Sequence, residues 1–207
     1  LRTPLTSISG YAEALADGAA PDPRAAGEVI SDNAGRLNRL VDDLLDLARL
    51  TSRQFLLDLK PTDPGAVVAA AVAGHRFAAD SAGIALEGTF ASDLEIAADA
   101  DRVAQAGGNL IDNALKYASS TVIVTVGSDR DRVVITVEDD GPGISAEDVP
   151  YVFERLYVTK QRPRRAENSS GLGLAIVRQL AEEMGGGVAA SAAPGGGTRM
   201  ILSFPSP

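Results

Sequence analysis

Asn109, Asn113 and Lys116 stand four and then three residues apart in the run Asn-Leu-Ile-Asp-Asn-Ala-Leu-Lys-Tyr from 109 to 117. On a helix that spacing puts all three on one face. The rest of the run is Leu110, Ile111, Ala114 and Leu115, so this polar row faces either solvent or a site. A side-chain amide oxygen is a hard ligand that suits Mg²⁺, a cation that keeps several waters and shares the phosphates of a nucleotide. A lysine supplies the adjoining point charge for phosphate. Taken alone, such a row is also what an ordinary wet helix face looks like.

A second chemical segment is Glu138-Asp-Asp-Gly-Pro-Gly-Ile144, directly after the apolar run Val133 to Val137. Gly141 and Gly143 lack a Cβ and let a flat ligand approach the backbone. Asp139, once ionised, accepts hydrogen bonds and donates none. It can take the exocyclic amino group of adenine and repels the carbonyl that guanine carries there. Asp140 is expected at the solvent side of the turn, and a plain surface Asp-Gly-Pro turn is the competing reading.

Further on, Gln161 to Ser170 is polar, basic and aperiodic, as lids and linkers are. In an otherwise acidic chain this charge suits a local anion. Gly171-Leu172-Gly173-Leu174 then opens a helix whose first N–H groups are available to cradle phosphate. Gly195-Gly-Gly197-Thr198 reads as a hairpin turn, with the Thr198 hydroxyl near the same ligand.

The elements that must position these residues follow from periodicity. Leu1, Leu5, Ile8, Ala12 and Leu15 form one seam, and Ile30, Ala34, Leu37, Val41, Leu44 and Ala48 a second. The steps of four and three are those of paired helices, broken at Asp17-Gly18 and Pro21-Asp-Pro23. One hairpin cannot bury both seams, so two hairpins are expected to pair into a dimeric four-helix bundle; packing on the following domain is the alternative. After Thr51, Phe55, Leu57 and Leu59 alternate as a strand ended by Pro61. Asp63-Pro64 predicts an N-cap and first turn of a helix to about Ser81. Strands are expected at 84–90 and 93–97, a helix from Asp99 to Ala118, and paired strands at 122–126 and 133–137. A helix at 171–185 and strands at 187–193 and 198–204 complete the chain. The fold expected is a helical hairpin, residues 1–52, followed by a two-layer α/β sandwich, residues 53–207.

Composition removes several classes. A net charge of −9 in 207 residues disfavours a partner that is nucleic acid or an anionic membrane bound through the global field. One histidine and no cysteine leave almost no raw material for a zinc site or a Ser-His-Asp triad. The lack of cysteine fits a reducing, cytosolic setting. No apolar run approaches the roughly 18 residues of a membrane span, and Leu-Arg-Thr-Pro-Leu-Thr resembles neither a signal peptide nor an initiation site. The chain therefore reads as a segment of something longer.

The order of the pieces carries more than any one of them. The chain resembles, over essentially all its residues, the catalytic core of a bacterial sensor histidine kinase. That core joins a dimerisation and phosphotransfer hairpin to an ATP-binding domain of the gyrase, Hsp90, histidine kinase and MutL superfamily. Asn109 to Tyr117 matches the family's N box and Asp139-Asp-Gly141-Pro-Gly143 its G1 box. Phe153-Glu-Arg155 matches the F box, Gly171-Leu-Gly173-Leu174 the G2 box, and Gly195-Gly-Gly197-Thr198 the last glycine motif.

The resemblance implies ATP and Mg²⁺ as ligands. Asn113 would ligate the metal, Asn109 support metal and phosphates, Lys116 and neighbouring Tyr117 line the nucleotide, and Asp139 read adenine. It also implies a homodimer through the hairpin, a response regulator as phosphoryl acceptor, and a cytoplasmic position in a membrane sensor whose membrane segments lie upstream. The superfamily's ATP-hydrolysing members carry a glutamate where this chain has Asn109, and an amide cannot take a proton from water. Transfer to another nucleophile is thus expected rather than hydrolysis. An ATPase clamp, a degenerate dimerisation module, or a kinase acting on a separate chain's histidine are the rivals.

The opening residues match the family's H box only from its third position, so the phosphoacceptor histidine would precede Leu1 and this segment should bind ATP without labelling itself. Thr3 matches the threonine associated with dephosphorylating the regulator. His75, in Ala-Gly-His-Arg-Phe without an acidic neighbour in sequence, is expected to be a surface or partly packed histidine. Val158 replaces the usual F-box arginine, which leaves Lys160 and Arg162 to contact phosphate. Gly107-Gly108 costs the N-box helix about 1 kcal/mol per glycine relative to alanine.

Overall fold

The computed structural model describes residues 2–50, 57–155, 157 and 171–206. Two helices come first, α1 (Arg2–Ala16) and α2 (Pro23–Leu50), packed against one another. Gly18 ends α1 with φ of 66°, while the Ala19 N–H returns to Ala14 O at 2.8 Å. Its lack of a Cβ makes that left-handed stop inexpensive. Asp22 starts α2 by accepting the N–H groups of Arg24 (2.9 Å) and Ala25 (3.1 Å), with Pro23 as the first helical residue. Leu5, Val41 and Leu45 stay 52%, 48% and 49% exposed, so the hairpin by itself leaves apolar area in water.

The remainder is one five-stranded sheet with helices on one face and a small two-stranded ribbon at the side. The ribbon pairs β1 (Lys60–Thr62) with β3 (Ile96–Ala98) antiparallel, and the Thr62 hydroxyl donates to Ala98 O at 2.9 Å. Here the expected strand at 55–59 is corrected. Leu57 to Leu59 have no strand structure, residues 51–56 lie outside the described set, and Pro61 sits inside β1 instead of ending a strand. A two-stranded ribbon needs N–H donors on one side only, and proline fits the other.

Helix α3 (Pro64–Ala82) begins as predicted, with the Asp63 side chain accepting the Ala66 N–H. Strand β2 (Ala85–Phe90) follows. Helix α4 (Ala100–Tyr117), capped by Asp99, crosses over to β4 (Thr121–Asp129), which therefore lies parallel to β2. The turn at Arg130-Asp131 is tighter than expected and leads into β5 (Arg132–Asp139). Helix α5 (Gly173–Glu183), β6 (Gly187–Ala192) and β7 (Thr198–Pro205) complete a sheet of order β2-β4-β5-β7-β6.

Alternation along the strands decides which face is covered. Val122, Val124, Val126, Val133, Ile135, Val137, Met200, Leu202 and Phe204 are buried under the helices. From the other side come Val68, Val72, Leu110, Ile111, Ile176 and Leu180. Each such aliphatic side chain contributes about 1.5–3 kcal/mol by leaving water. Because Val103, Ala106, Leu110, Ile111, Ala114 and Leu115 take the inner face of α4, Asn109, Asn113 and Lys116 are displaced toward its edge. There all three are half-buried.

Candidate functional site

Three segments distant in sequence meet at the end of β5. Asp139 closes that strand, paired in register with Thr198 of β7 and with Val122 of β4. Its carboxylate is 5% exposed. Burial pushes its pKa up, while hydrogen bonds from the Gly141 N–H (2.9 Å) and from the N–H and hydroxyl of Thr198 pull it back. The group is thus held by three donors, and a carboxylate with about four acceptor positions keeps capacity for another.

Gly141 rests directly on the Tyr117 carbonyl at the end of α4, and a Cβ there would overlap that oxygen. Gly197, at φ of 86°, lies equally close to the Asp139 carbonyl from the other side. Only glycine permits both approaches. The turn bearing Asp139 and Gly143, the C-terminal turn of α4 bearing Lys116 and Tyr117, and the hairpin leading to Thr198 are joined backbone to backbone.

The G2 segment enters from α5. Gly171 turns the chain at φ of 72°, Leu172 is buried, and α5 begins at Gly173 with no side chain among the described residues capping its first N–H groups. Leu174 packs partly against the core. Asn109 Nδ2 lies 3.5 Å from Gly173 O, which spends its N–H and leaves its oxygen. Among the described residues no group hydrogen-bonds the Asn113 amide. One unspent amide oxygen on each of two successive turns, beside a lysine, suits a hard cation shared with phosphate. In the F-box segment Phe153 packs against the core, and the Tyr157 hydroxyl donates to Asp148. That bond pushes the Tyr157 phenol up to about 12.

The side chain of Thr3, in α1, lies outside the described set, as do Lys160 and Arg162. Two partnerships escaped the sequence reading. His75 gains an acidic partner from another helix: its Nδ1 is 2.7 Å from Ala71 O and its Nε2 3.4 Å from Asp112 Oδ1. A carbonyl only accepts, so a doubly protonated ring satisfies both, and Asp112 raises the His75 pKa against the opposing effect of burial. Asp140 is partly exposed at the turn, and its carboxylate is heavily hydrogen-bonded there. Strand alternation held the clue, since neighbours on a strand point to opposite faces and both aspartates could not serve one ligand.

A buried acceptor at the end of the central strand β5, an amide-lysine helix and a helix start following Gly171, preceded in the chain by a helical hairpin, define an ATPase-type domain joined to a phosphotransfer hairpin. Residues 98–207 match the family model described as histidine kinase-, DNA gyrase B- and HSP90-like ATPase, and residues 1–53 the phosphoacceptor domain of histidine kinases. The chain belongs to the two-component sensor histidine kinases. Sensor protein SrrB of Staphylococcus aureus is 31% identical over 212 residues, an alignment covering 100% of this chain and 36% of that protein. The chain thus spans about a third of the length of the curated relatives it matches. Histidine kinase AdeS of Acinetobacter baumannii shares the fold with a TM-score of 0.80 at 24% identity, over 99% of this chain and 96% of that one. Full-length ShkA, solved with AMPPNP, superposes with a TM-score of 0.74 at 28% identity, over 91% of this chain and 40% of that one.

Proposed function

We propose that the chain is the ATP-dependent phosphotransfer core of a sensor kinase, with residues 1–52 as dimerising hairpin and 53–207 as catalytic domain. Asp139 accepts the adenine amino group, backed by Gly141, Gly143 and Thr198. Asn109, Lys116 and Tyr117 line the phosphate side, and the N–H groups after Gly171 and Leu172, at Gly173 and Leu174, take phosphate oxygens. Lys160 and Arg162 supply the phosphate contact that the F-box arginine makes in the family. Asn113 holds Mg²⁺, which when bound neutralises phosphate charge. One observation supports the reading: Gly141 seated on the Tyr117 carbonyl brings the turn that bears Asp139 against the last turn of α4, which bears Lys116.

Phosphoryl transfer of this kind depends on positioning and charge neutralisation. Asn109 cannot deprotonate water, so the γ-phosphoryl is kept for a histidine and passes from there to a response-regulator aspartate, with Thr3 serving the reverse dephosphorylation. The exposed Leu5, Val41 and Leu45 suit a second hairpin in a homodimer. Among the described residues no helix is long and apolar enough to cross a membrane. The proposed place is the cytoplasmic side of a membrane sensor anchored by segments outside these residues.

Titration calorimetry with ATP and Mg²⁺, with GTP as comparison, tests the site. Binding of ATP in clear preference to GTP is expected. Incubation with γ-labelled ATP should leave residues 1–207 unlabelled, because their one histidine lies on α3 and not on the hairpin. Acid-labile label on this polypeptide, steady phosphate release, or no ATP binding at all would each overturn the reading.

A further inference from the structure

Asp140 gathers an unusual set of donors. Its Oδ1 accepts the backbone N–H groups of Ser119 (2.8 Å), Ser120 (3.0 Å) and Thr121 (3.1 Å), three consecutive residues. Its Oδ2 accepts the Ser120 hydroxyl at 2.6 Å and shares the Ser120 N–H at 3.1 Å. The Asp140 N–H in turn donates to Thr121 O at 3.3 Å. Burial alone would raise this carboxyl; the Ser120 hydroxyl and the three N–H groups outweigh it and hold the pKa well below the usual carboxylate range. The group stays charged throughout the physiological range, so it is a permanent tie and not a switch.

What it ties together matters. Ser119 to Thr121 form the link from the last turn of α4, which carries Lys116 and Tyr117, into β4. The same link seats the start of β2, where the Ala85 N–H donates to Ser120 O at 2.8 Å. On the other side, Asp140 is bonded covalently to Asp139. The β4–β5 ladder already pairs Val122 with Asp139, and the carboxylate carries that tie beyond the ladder to Ser119 and Ser120, the residues that join β4 to the last turn of α4. Gly141 on the Tyr117 carbonyl provides close approach but no directional bond.

We propose that Asp140 is a positioning residue for the nucleotide: its carboxylate sets the register between the turn that reads the base and the helix that meets the phosphates. This rests on the functional reading above. A ligand gripped at two ends gains affinity only while both grips fit it at once. Adenosine, which reaches only the base end, is indifferent to that register. ATP is not.

The test compares ATP and adenosine on the same chain. Dissociation constants are measured for ATP with Mg²⁺ by calorimetry and for adenosine by ligand-observed NMR, with wild type, Asp140→Ala and Asp140→Asn. Asp140→Ala should weaken ATP roughly ten- to hundredfold, the scale of a small misplacement of a bound group. Adenosine should change by less than about threefold on the same protein, as expected for a contact left intact. Asp140→Asn keeps one oxygen for the Ser119 and Thr121 N–H groups but loses the second acceptor that takes the Ser120 hydroxyl, and should weaken ATP less than the alanine variant does yet clearly more than adenosine. It also keeps the test decisive if the alanine variant does not fold.

Equal loss of ATP and adenosine affinity, or no loss of either, in the folded variants would overturn the proposal and leave Asp140 a purely structural tie. Failure of the wild-type protein to bind ATP would instead overturn the functional reading, and this proposal with it.

Discussion

Replacing Asp139 by asparagine should separate nucleotide binding from folding. The ionised carboxylate has about four acceptor positions, and the structure fills three of them with the Gly141 N–H, the Thr198 N–H and the Thr198 hydroxyl. Asparagine keeps one oxygen and puts two N–H donors where the other stood. The position left for the adenine amino group becomes a donor facing a donor. A hydrogen bond to a charged acceptor contributes about 1.5–3 kcal/mol, so ATP affinity should fall roughly 10- to 150-fold.

Stability follows a different balance. Leaving the Thr198 N–H unpaired costs about 1–3 kcal/mol, but burial already pushes the Asp139 pKa up, so neutralising the group returns part of that cost. The melting temperature should therefore shift little while binding collapses. The pH dependence carries the same signature with opposite signs. Because the folded pKa is raised above the ordinary value of 3.8, acidification protonates Asp139 in the folded chain first. That adds stability as pH falls through the folded value and removes ATP binding over the same window. The assay is calorimetric titration of ATP beside thermal melts of both proteins across pH. An ATP constant within about threefold of wild type, or a fall in melting temperature that accounts for the lost binding, would refute the reasoning.

Three further outcomes are expected. Gly107→Ala should stabilise the domain by about 1 kcal/mol, raising the melting temperature by roughly 2–4 °C, because nothing outside the helix lies within 4 Å of the added methyl group. Gly141→Ala should destabilise by about 1–3 kcal/mol, since its methyl meets backbone that cannot rotate away, and should abolish ATP binding in calorimetry. The His75 pKa is raised by Asp112, so its stabilisation is complete below the ordinary value of 6.5 and is lost as pH rises through the folded value. Urea midpoints on the two sides of that window should differ in the wild type and converge in Asp112→Asn.

The sequence was most informative where chemistry and periodicity are local. The caps at Asp63 and Asp99 set two helix starts, and alternation separates the inner from the outer residues of β4 and β5. The amide-lysine row and the two glycine turns were recognisable because spacing alone places their members together. Partnerships across elements were not recognisable. Asp112 meets His75 only because α3 packs on α4, and the donors that hold the Asp140 carboxylate lie on a link some twenty residues earlier. The strand misplaced at Phe55 to Leu59 shows the same limit, for β1 exists by pairing with β3 and not through its own pattern.

The backbone junction of Tyr117, Gly141 and Gly197 also bears on how the domain matures. Its glycines offer no side chains that could hold the three segments together in a partly folded chain. They are brought together by strand pairing, above all of β5 with β7, which closes a long loop and forms slowly. On the ribosome, a nascent chain that has not yet released β7 has no Thr198 beside Asp139 and no nucleotide site, however complete its earlier motifs. Once β7 docks, ligand binding and global folding become linked, and bound ATP stabilises the whole sheet by mass action.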